Sequence, residues 1–140
     1  MRLDHLTSDS CFSVHTLPYV GNLQARDLNT IDLIVIHCTE LPDLATAREY
    51  GERVLYPSGT GNSGHFYIDV DGSTQCYVPP ERIAHHVRGY NARAIGIELV
   101  NLGRWPNWLD SRHQTMTTPY TAPQLTALIT LIHQLEREMP

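Results

Sequence analysis

The run Ile95-Gly96-Ile97-Glu98-Leu99-Val100 leaves this chain few folds to choose from. Its period of two reads as a β-strand over 94–100, with Ile95, Ile97 and Leu99 on one face and Gly96 and Glu98 on the other. A strand apolar on one face needs a sheet and a second layer packed over that face. The opposite face then carries a half-buried carboxylate, and a lone buried charge is expensive unless something answers it. A charged partner, a metal or a reaction would do so, and burial should raise the carboxyl pKa. Gly96, two residues earlier on the same face, leaves space above the sheet. The plainer alternative is a salt bridge to an arginine such as Arg93.

The remaining elements follow the same logic. Leu33 to His37 is a short β-branched run and reads as a second buried strand. Leu44 to Tyr56 has apolar residues at helical spacing (Leu44, Ala47, Val54, Leu55) and stops before Pro57, which predicts a helix. His65–Val70 and Ser73–Val78 flank Asp71-Gly72, a hairpin signature. Thr121-Ala122-Pro123 opens a last helix with Thr121 as N-cap, and its stripe Leu125, Leu128, Ile129, Ile132, Leu135 and Met139 is expected to lie on the sheet. Residues 1–30 are polar and weakly patterned, and read as an arm ahead of the core. Strands interleaved with helices make the chain α/β.

Composition narrows the class. A chain of 140 residues is one domain, long enough to bury roughly 68–70% of its unfolded surface. With 41% hydrophobic and 18% charged residues it is globular, not disordered. The net charge is −5, and every basic residue is Arg, so neither nucleic acid nor an anionic membrane is an expected partner. The absence of Lys also excludes a Walker loop in the Gly-rich stretch Ser58–Gly64. No aliphatic run exceeds Leu33–Ile36, so no membrane span is expected. Met1–His15 has no apolar signal core, from which a cytoplasmic location is expected. Cys11, Cys38 and Cys76 are odd in number and far apart, against a disulfide framework.

The eight histidines are the compositional oddity. His37 ends a strand, where open α/β sheets place their sites, and can be a metal ligand, a general base or a ring satisfied at the edge of the core. Of the adjacent pair His85-His86, at most one is expected to point into a site; the alternative is two solvated loop rings. His65 opens a strand and reads as structural, His133 as solvated. Cys38, beside His37, is either a thiol nucleophile or, the reading preferred here, a small buried hydrophobe.

Four segments in order carry a resemblance: Ile34-Val35-Ile36-His37-Cys38-Thr39; Gly64-His65-Phe66-Tyr67-Ile68-Asp69 with Asp71-Gly72; Ile83-Ala84-His85-His86; and Asn91 to Asn101. Together, over residues 31–138, they are similar to the zinc-dependent N-acetylmuramoyl-L-alanine amidases of the type 2 class, which includes phage lysozyme-amidases, bacterial muropeptide-recycling amidases and animal peptidoglycan recognition proteins. The resemblance implies a central mixed β-sheet flanked by helices in a single domain spanning 31–140, with Zn²⁺ in a groove at the strand ends. It makes His37 the first zinc ligand, Glu98 the general base on a zinc-bound water, and His86 part of the motif lining the groove. Asn62, Arg88 and Asn91 join His86 as residues able to hold a sugar-peptide. Gly64 stands where some members have a Tyr, and that role is not carried over. The remaining ligands are expected beyond Pro140, so the domain is expected to be C-terminally incomplete; the alternative is a relative that has lost its metal. The implied reaction is hydrolysis of the amide between N-acetylmuramic acid and L-alanine in peptidoglycan or muropeptides. A peptidoglycan-binding module without catalysis and a thiol amidase using Cys38 with His86 are the alternatives.

Overall fold

In the computed structural model, which describes residues 10–140, the elements run β1 (Ser13–Val14), β2 (Leu33–Cys38), α1 (Leu44–Glu52), β3 (Phe66–Ile68), β4 (Thr74–Cys76), β5 (Ala94–Leu99) and α2 (Ala122–Glu138). Residues 1–9 of the expected arm lie outside the described residues. The strands form one sheet in the order β1-β4-β3-β5-β2. β4 runs antiparallel to β3 and every other neighbour is parallel, which is the mixed α/β architecture expected.

The alternation along β5 sorts the sheet into two faces. Ile95, Ile97 and Leu99 pack with Phe12, Phe66, Ile68, Cys76 and with Leu131 and Leu135 of α2. On the other side Tyr67 packs with Leu17, Tyr19, Leu23, Leu41, Ala47, Tyr77, Val78 and Ala84. Phe12, Leu17, Tyr19 and Leu23 are all buried, so the stretch read as an arm contributes to both layers. Its apolar residues are spaced singly among polar ones, because it crosses the sheet edge as irregular backbone and not as a periodic element. Its Arg26 is partly buried and donates to the carbonyls of Pro80 (2.7 Å), Asn91 (3.0 Å) and Ala94 (2.9 Å), which ties that stretch to the loop ahead of β5.

Three further expectations need correction. β2 is an edge strand, only half buried, with Ile36 48% exposed; a β-branched run looks alike at an edge and in the middle of a sheet. Helix α1, capped by the Asp43 side chain on the Thr46 N–H, ends at Glu52 and not at Tyr56. The N–H groups of Leu55 and Tyr56 both turn back onto the Thr60 carbonyl, leaving Val54, Leu55 and Tyr56 exposed. On α2 Thr121 is the N-cap expected, in a capping box with Gln124, yet Leu125 and Ile129 are 42% and 56% exposed, and Gln124, Leu131, Gln134 and Leu135 are the buried line. Two glutamines sit on that line because backbone groups there need partners. Gln124 Nε2 donates to the carbonyls of Ile68 (3.0 Å) and Val100 (2.8 Å), and Gln134 Oε1 accepts from the Cys11 N–H (3.1 Å). Among the described residues, no helix is long and apolar enough to cross a membrane.

Candidate active site

Register brings the chemistry together. His37 on β2 and Tyr67 on β3 are both direct partners of Glu98 on β5, and partners across a sheet share a face. Above Glu98 and Tyr67 opens a groove of about 740 Å³. It is lined by Leu41 and, from α1, Ala47 and Tyr50, together with Tyr56, Asn62, His85, His86, Arg88 and Asn91. The Trp108 ring lies 6.3 Å from that of Tyr50, and its Nε1 donates to the Glu40 carbonyl.

Glu98 is the perturbed acid of this groove. Burial pushes its carboxyl up to about 7, into the range where an acid–base group both takes and returns a proton near neutral pH. The salt-bridge alternative fails, because Arg93 pairs with Asp32 at 2.6 and 2.8 Å. Room for the side chain comes from Gly64: a Cβ there would lie 2.9 Å from Glu98 Cγ. Sequence reasoning missed Tyr67, although its place on the same face could have been read from the hairpin. Its buried hydroxyl sits 3.0 Å from Ser63 Oγ and accepts from the Gly64 N–H at 3.3 Å. Burial raises the phenol pKa far above neutrality, so Tyr67 is a neutral hydroxyl beside Glu98.

The histidines separate into distinct roles. His37 Nε2 and His86 Nδ1 are 3.0 Å apart. His86 lies over Gly96, whose added Cβ would stand 2.7 Å from the ring, so the space read above the sheet is filled by this imidazole. Burial holds both rings neutral, lowering His37 and taking His86 to about 4. His65 is fully buried and structural, as expected. Its Nδ1 accepts from the Gly96 N–H (3.0 Å) and its Nε2–H donates to the Arg82 carbonyl (3.0 Å); burial and the neighbouring Arg26 hold its pKa near about 3. His85 packs against the Tyr56 ring at the groove wall, 5.5 Å between centroids, and His133 is exposed.

Of the expected binding residues, Arg88 is exposed at the rim. Asn62 accepts from the Tyr56 hydroxyl at 2.6 Å. Asn91 spends its Oδ1 on the N–H groups of His86 (2.9 Å) and Val87 (2.8 Å), so its carbonyl oxygen shapes the loop and its Nδ2 is the atom left for a ligand. Cys38 alternates to the face opposite His37 and sits half-buried, its Sγ 3.7 Å from the Asn101 carbonyl, a poor position for a thiol nucleophile of this groove.

A catalytic zinc takes three protein ligands and a water. Among the described residues, no group of three or more His, Cys, Asp or Glu side chains is placed to share one ion. The orphaned buried Nε2 of His86 lies on the far side of its ring from the nitrogen that meets His37, so it does not complete a set. The described donors do not fit a catalytic zinc, and no step below runs through one.

Comparison with known proteins bears on the family and the fold. The family model described as N-acetylmuramoyl-L-alanine amidase matches residues 27–139. The structure of the N-acetylmuramoyl-L-alanine amidase LysC from Clostridium intestinale is 24% identical with a TM-score of 0.64, covering 90% of this chain and 76% of that one. That of the Escherichia coli amidase AmiD in complex with the substrate anhydro-N-acetylmuramic acid-L-Ala-D-γ-Glu-L-Lys is 23% identical with a TM-score of 0.57, covering 77% of this chain and 44% of that one. Drosophila peptidoglycan recognition protein SA is 19% identical with a TM-score of 0.58, covering 92% and 75%. At these identities the structural likeness speaks to the fold. No curated protein matches the chain.

Proposed function

From the premise that the chain belongs to the N-acetylmuramoyl-L-alanine amidase family, we propose that its groove hydrolyses the amide joining the lactyl carbonyl of N-acetylmuramic acid to L-alanine in a muropeptide or in peptidoglycan. The observation that carries this reading is the place of Glu98, a half-buried carboxyl lining an open groove, where loss of solvent pushes it up to about 7. Ionised Glu98 takes a proton from water as the water oxygen attacks the carbonyl carbon. The protonated carboxyl then passes that proton to the amide nitrogen as the C–N bond breaks, which yields the muramic carboxylic acid and the free amine of L-alanine. The lining mixes Leu41, Ala47 and Tyr50 with the polar Asn62, His86 and Arg88, which supports a ligand carrying both apolar and hydrogen-bonding groups. His37 is the residue that the resemblance offers to zinc. Among the described residues an ion there would find one ligand, so the reaction above is derived from Glu98 and the groove alone and zinc dependence is read from the test below.

The test is mass spectrometry of a muropeptide after incubation with the chain, with and without added Zn²⁺. Cleavage between sugar and L-alanine is expected, and Glu98→Gln should slow it by about 10²–10⁴-fold while ligand binding persists. Cleavage by Glu98→Gln at the unsubstituted rate would remove Glu98 from this role. The donor count at His37 favours a second reading, a peptidoglycan-binding module without turnover. Calorimetric binding of the intact muropeptide, with none of it cleaved under any metal condition, would support that reading over the first.

A further inference from the structure

We propose that Tyr67 is a positioning residue for Glu98: its hydroxyl, with that of Ser63, fixes the backbone of Gly64 against the Glu98 side chain and so sets where the carboxyl stands in the groove. Among the described residues no hydrogen bond or ion pair reaches that carboxyl, on which loss of solvent acts alone. Its place is therefore decided by what packs on its stem. Gly64 does so. A Cβ there would lie 2.9 Å from Glu98 Cγ and 3.2 Å from the Gly96 carbonyl oxygen, too close for any side chain, so the bare backbone of Gly64 rests on β5. The residues on either side are tied by main-chain bonds, from the Ser63 N–H to the His85 carbonyl (3.1 Å) and from the His65 N–H to the Gly96 carbonyl (2.8 Å). Gly64 itself is held by side chains.

The donors and acceptors close on themselves. A carbonyl only accepts, so the Ser63 hydroxyl gives its one proton to the Gly64 carbonyl at 2.8 Å. The Ser63 and Tyr67 oxygens are 3.0 Å apart, and with the serine proton spent the Tyr67 O–H is the donor between them. The Tyr67 oxygen in turn accepts from the Gly64 N–H at 3.3 Å. These bonds join Gly64, Ser63 and Tyr67 in a cycle, and both backbone polar groups of Gly64 depend on it. The cycle has a firm base: Tyr67 is 5% exposed, packs on Tyr77 with 4.5 Å between ring centroids, and is a direct partner of Glu98 in the sheet. A phenylalanine at 67 would keep that packing and lose the two bonds that the hydroxyl makes. The inference rests on the proposed function only in treating Glu98 as the working acid. Contact and turnover are read separately, so the two can fail apart.

The experiment compares the unsubstituted chain with Tyr67→Phe, Ser63→Ala and the double variant, by proton NMR and by muropeptide turnover. The unsubstituted chain should show a cross-peak between the Gly64 Hα and Glu98 Hγ protons and a protected Gly64 amide. Tyr67→Phe should weaken the cross-peak and speed Gly64 amide exchange by about tenfold, the loss of one hydrogen bond. It should also lower kcat by about 10–10²-fold with KM unchanged, the remaining amide spectrum staying that of the folded chain. Ser63→Ala breaks the same cycle and should act alike, and it carries the test should Tyr67→Phe not fold. The double variant should lose no more than the larger single loss, since both changes remove one unit. A Tyr67→Phe chain that melts earlier but keeps the cross-peak, the Gly64 protection and kcat would make Tyr67 purely structural and overturn the proposal. Additive losses in the double variant, or a rise in KM alone, would overturn it too. Where no chain turns the muropeptide over, the cross-peak and the exchange rate decide: their change in Tyr67→Phe upholds the positioning role while the proposed function fails.

Discussion

On one face of β5, Ile95, Ile97 and Leu99 are at most 3% exposed and pack beneath α2. On the other, Gly96 and Glu98 carry an imidazole with an unpartnered nitrogen and a carboxyl forced toward its neutral form. The same strand thus serves opposite ends. The α2 face removes apolar surface from water and satisfies its polar groups, down to the two glutamines that bind strand-end and N-terminal backbone groups. The groove face accepts groups that would be more stable elsewhere. Along β5 itself stability is gathered under α2 and given up at Gly96 and Glu98, a pattern expected where side chains must react.

The largest effect on stability should therefore come from the α2 face. Ile97→Ala removes a fully buried side chain and should cost about 3–4 kcal/mol in urea denaturation; a loss below about 1 kcal/mol would mean that the core lies elsewhere. Gln124→Leu comes next. It leaves the carbonyls of Ile68 and Val100 without their donor and should cost about 2–3 kcal/mol, although it makes the helix face more apolar. An unchanged midpoint would show that other groups satisfy those carbonyls.

Such contrasts mark what the sequence could disclose. The alternation at 94–100 identified both faces of β5 and singled out Glu98, because a period-two pattern is written locally. Thr121-Ala122-Pro123 announced the start of α2 for the same reason. What stayed hidden depends on distant partners. The sheet-facing line of α2 includes two polar residues, and nothing near Gln124 tells that it will meet the ends of β3 and β5. Phe12, Leu17, Tyr19 and Leu23 looked like an arm because irregular backbone buries residues with no period. The His85-His86 pair could not be resolved without knowing that Gly96 lies under one ring and Tyr56 beside the other.

On the groove face the effect should reverse in sign. Glu98 is raised from 4.5 to about 7 in the folded chain, so between those values the folded state holds a proton that the unfolded state has released. Its contribution to stability is greatest below pH 4.5, falls as pH rises toward 7, and is flat above. Glu98→Gln escapes that loss. Above pH 7 it should be more stable than the unsubstituted chain, by an amount on the order of 2 kcal/mol, with the difference vanishing in acid. Melts of both chains across this range check it; a Gln variant less stable at every pH would mean that Glu98 is a structural partner and not a tuned acid.

The smallest effect concerns zinc. The described donors offer an ion one ligand at His37, so the binding term RT ln(1 + [L]/Kd) stays near zero until the metal concentration exceeds Kd. Added Zn²⁺ should barely move the Tm of the 140-residue chain. A large zinc-dependent rise for a monomer would show that further residues of this chain complete a site.

The contrast between the two faces depends most on the carboxyl of Glu98, and its titration can be read directly from the side-chain ¹³C resonance as pH is varied. A midpoint at about 7, against an ordinary 4.5, is the result predicted. A midpoint at the ordinary carboxylate value would contradict the account, since Glu98 would then be a solvated charge with neither the burial nor the proton affinity that the proposed reaction uses.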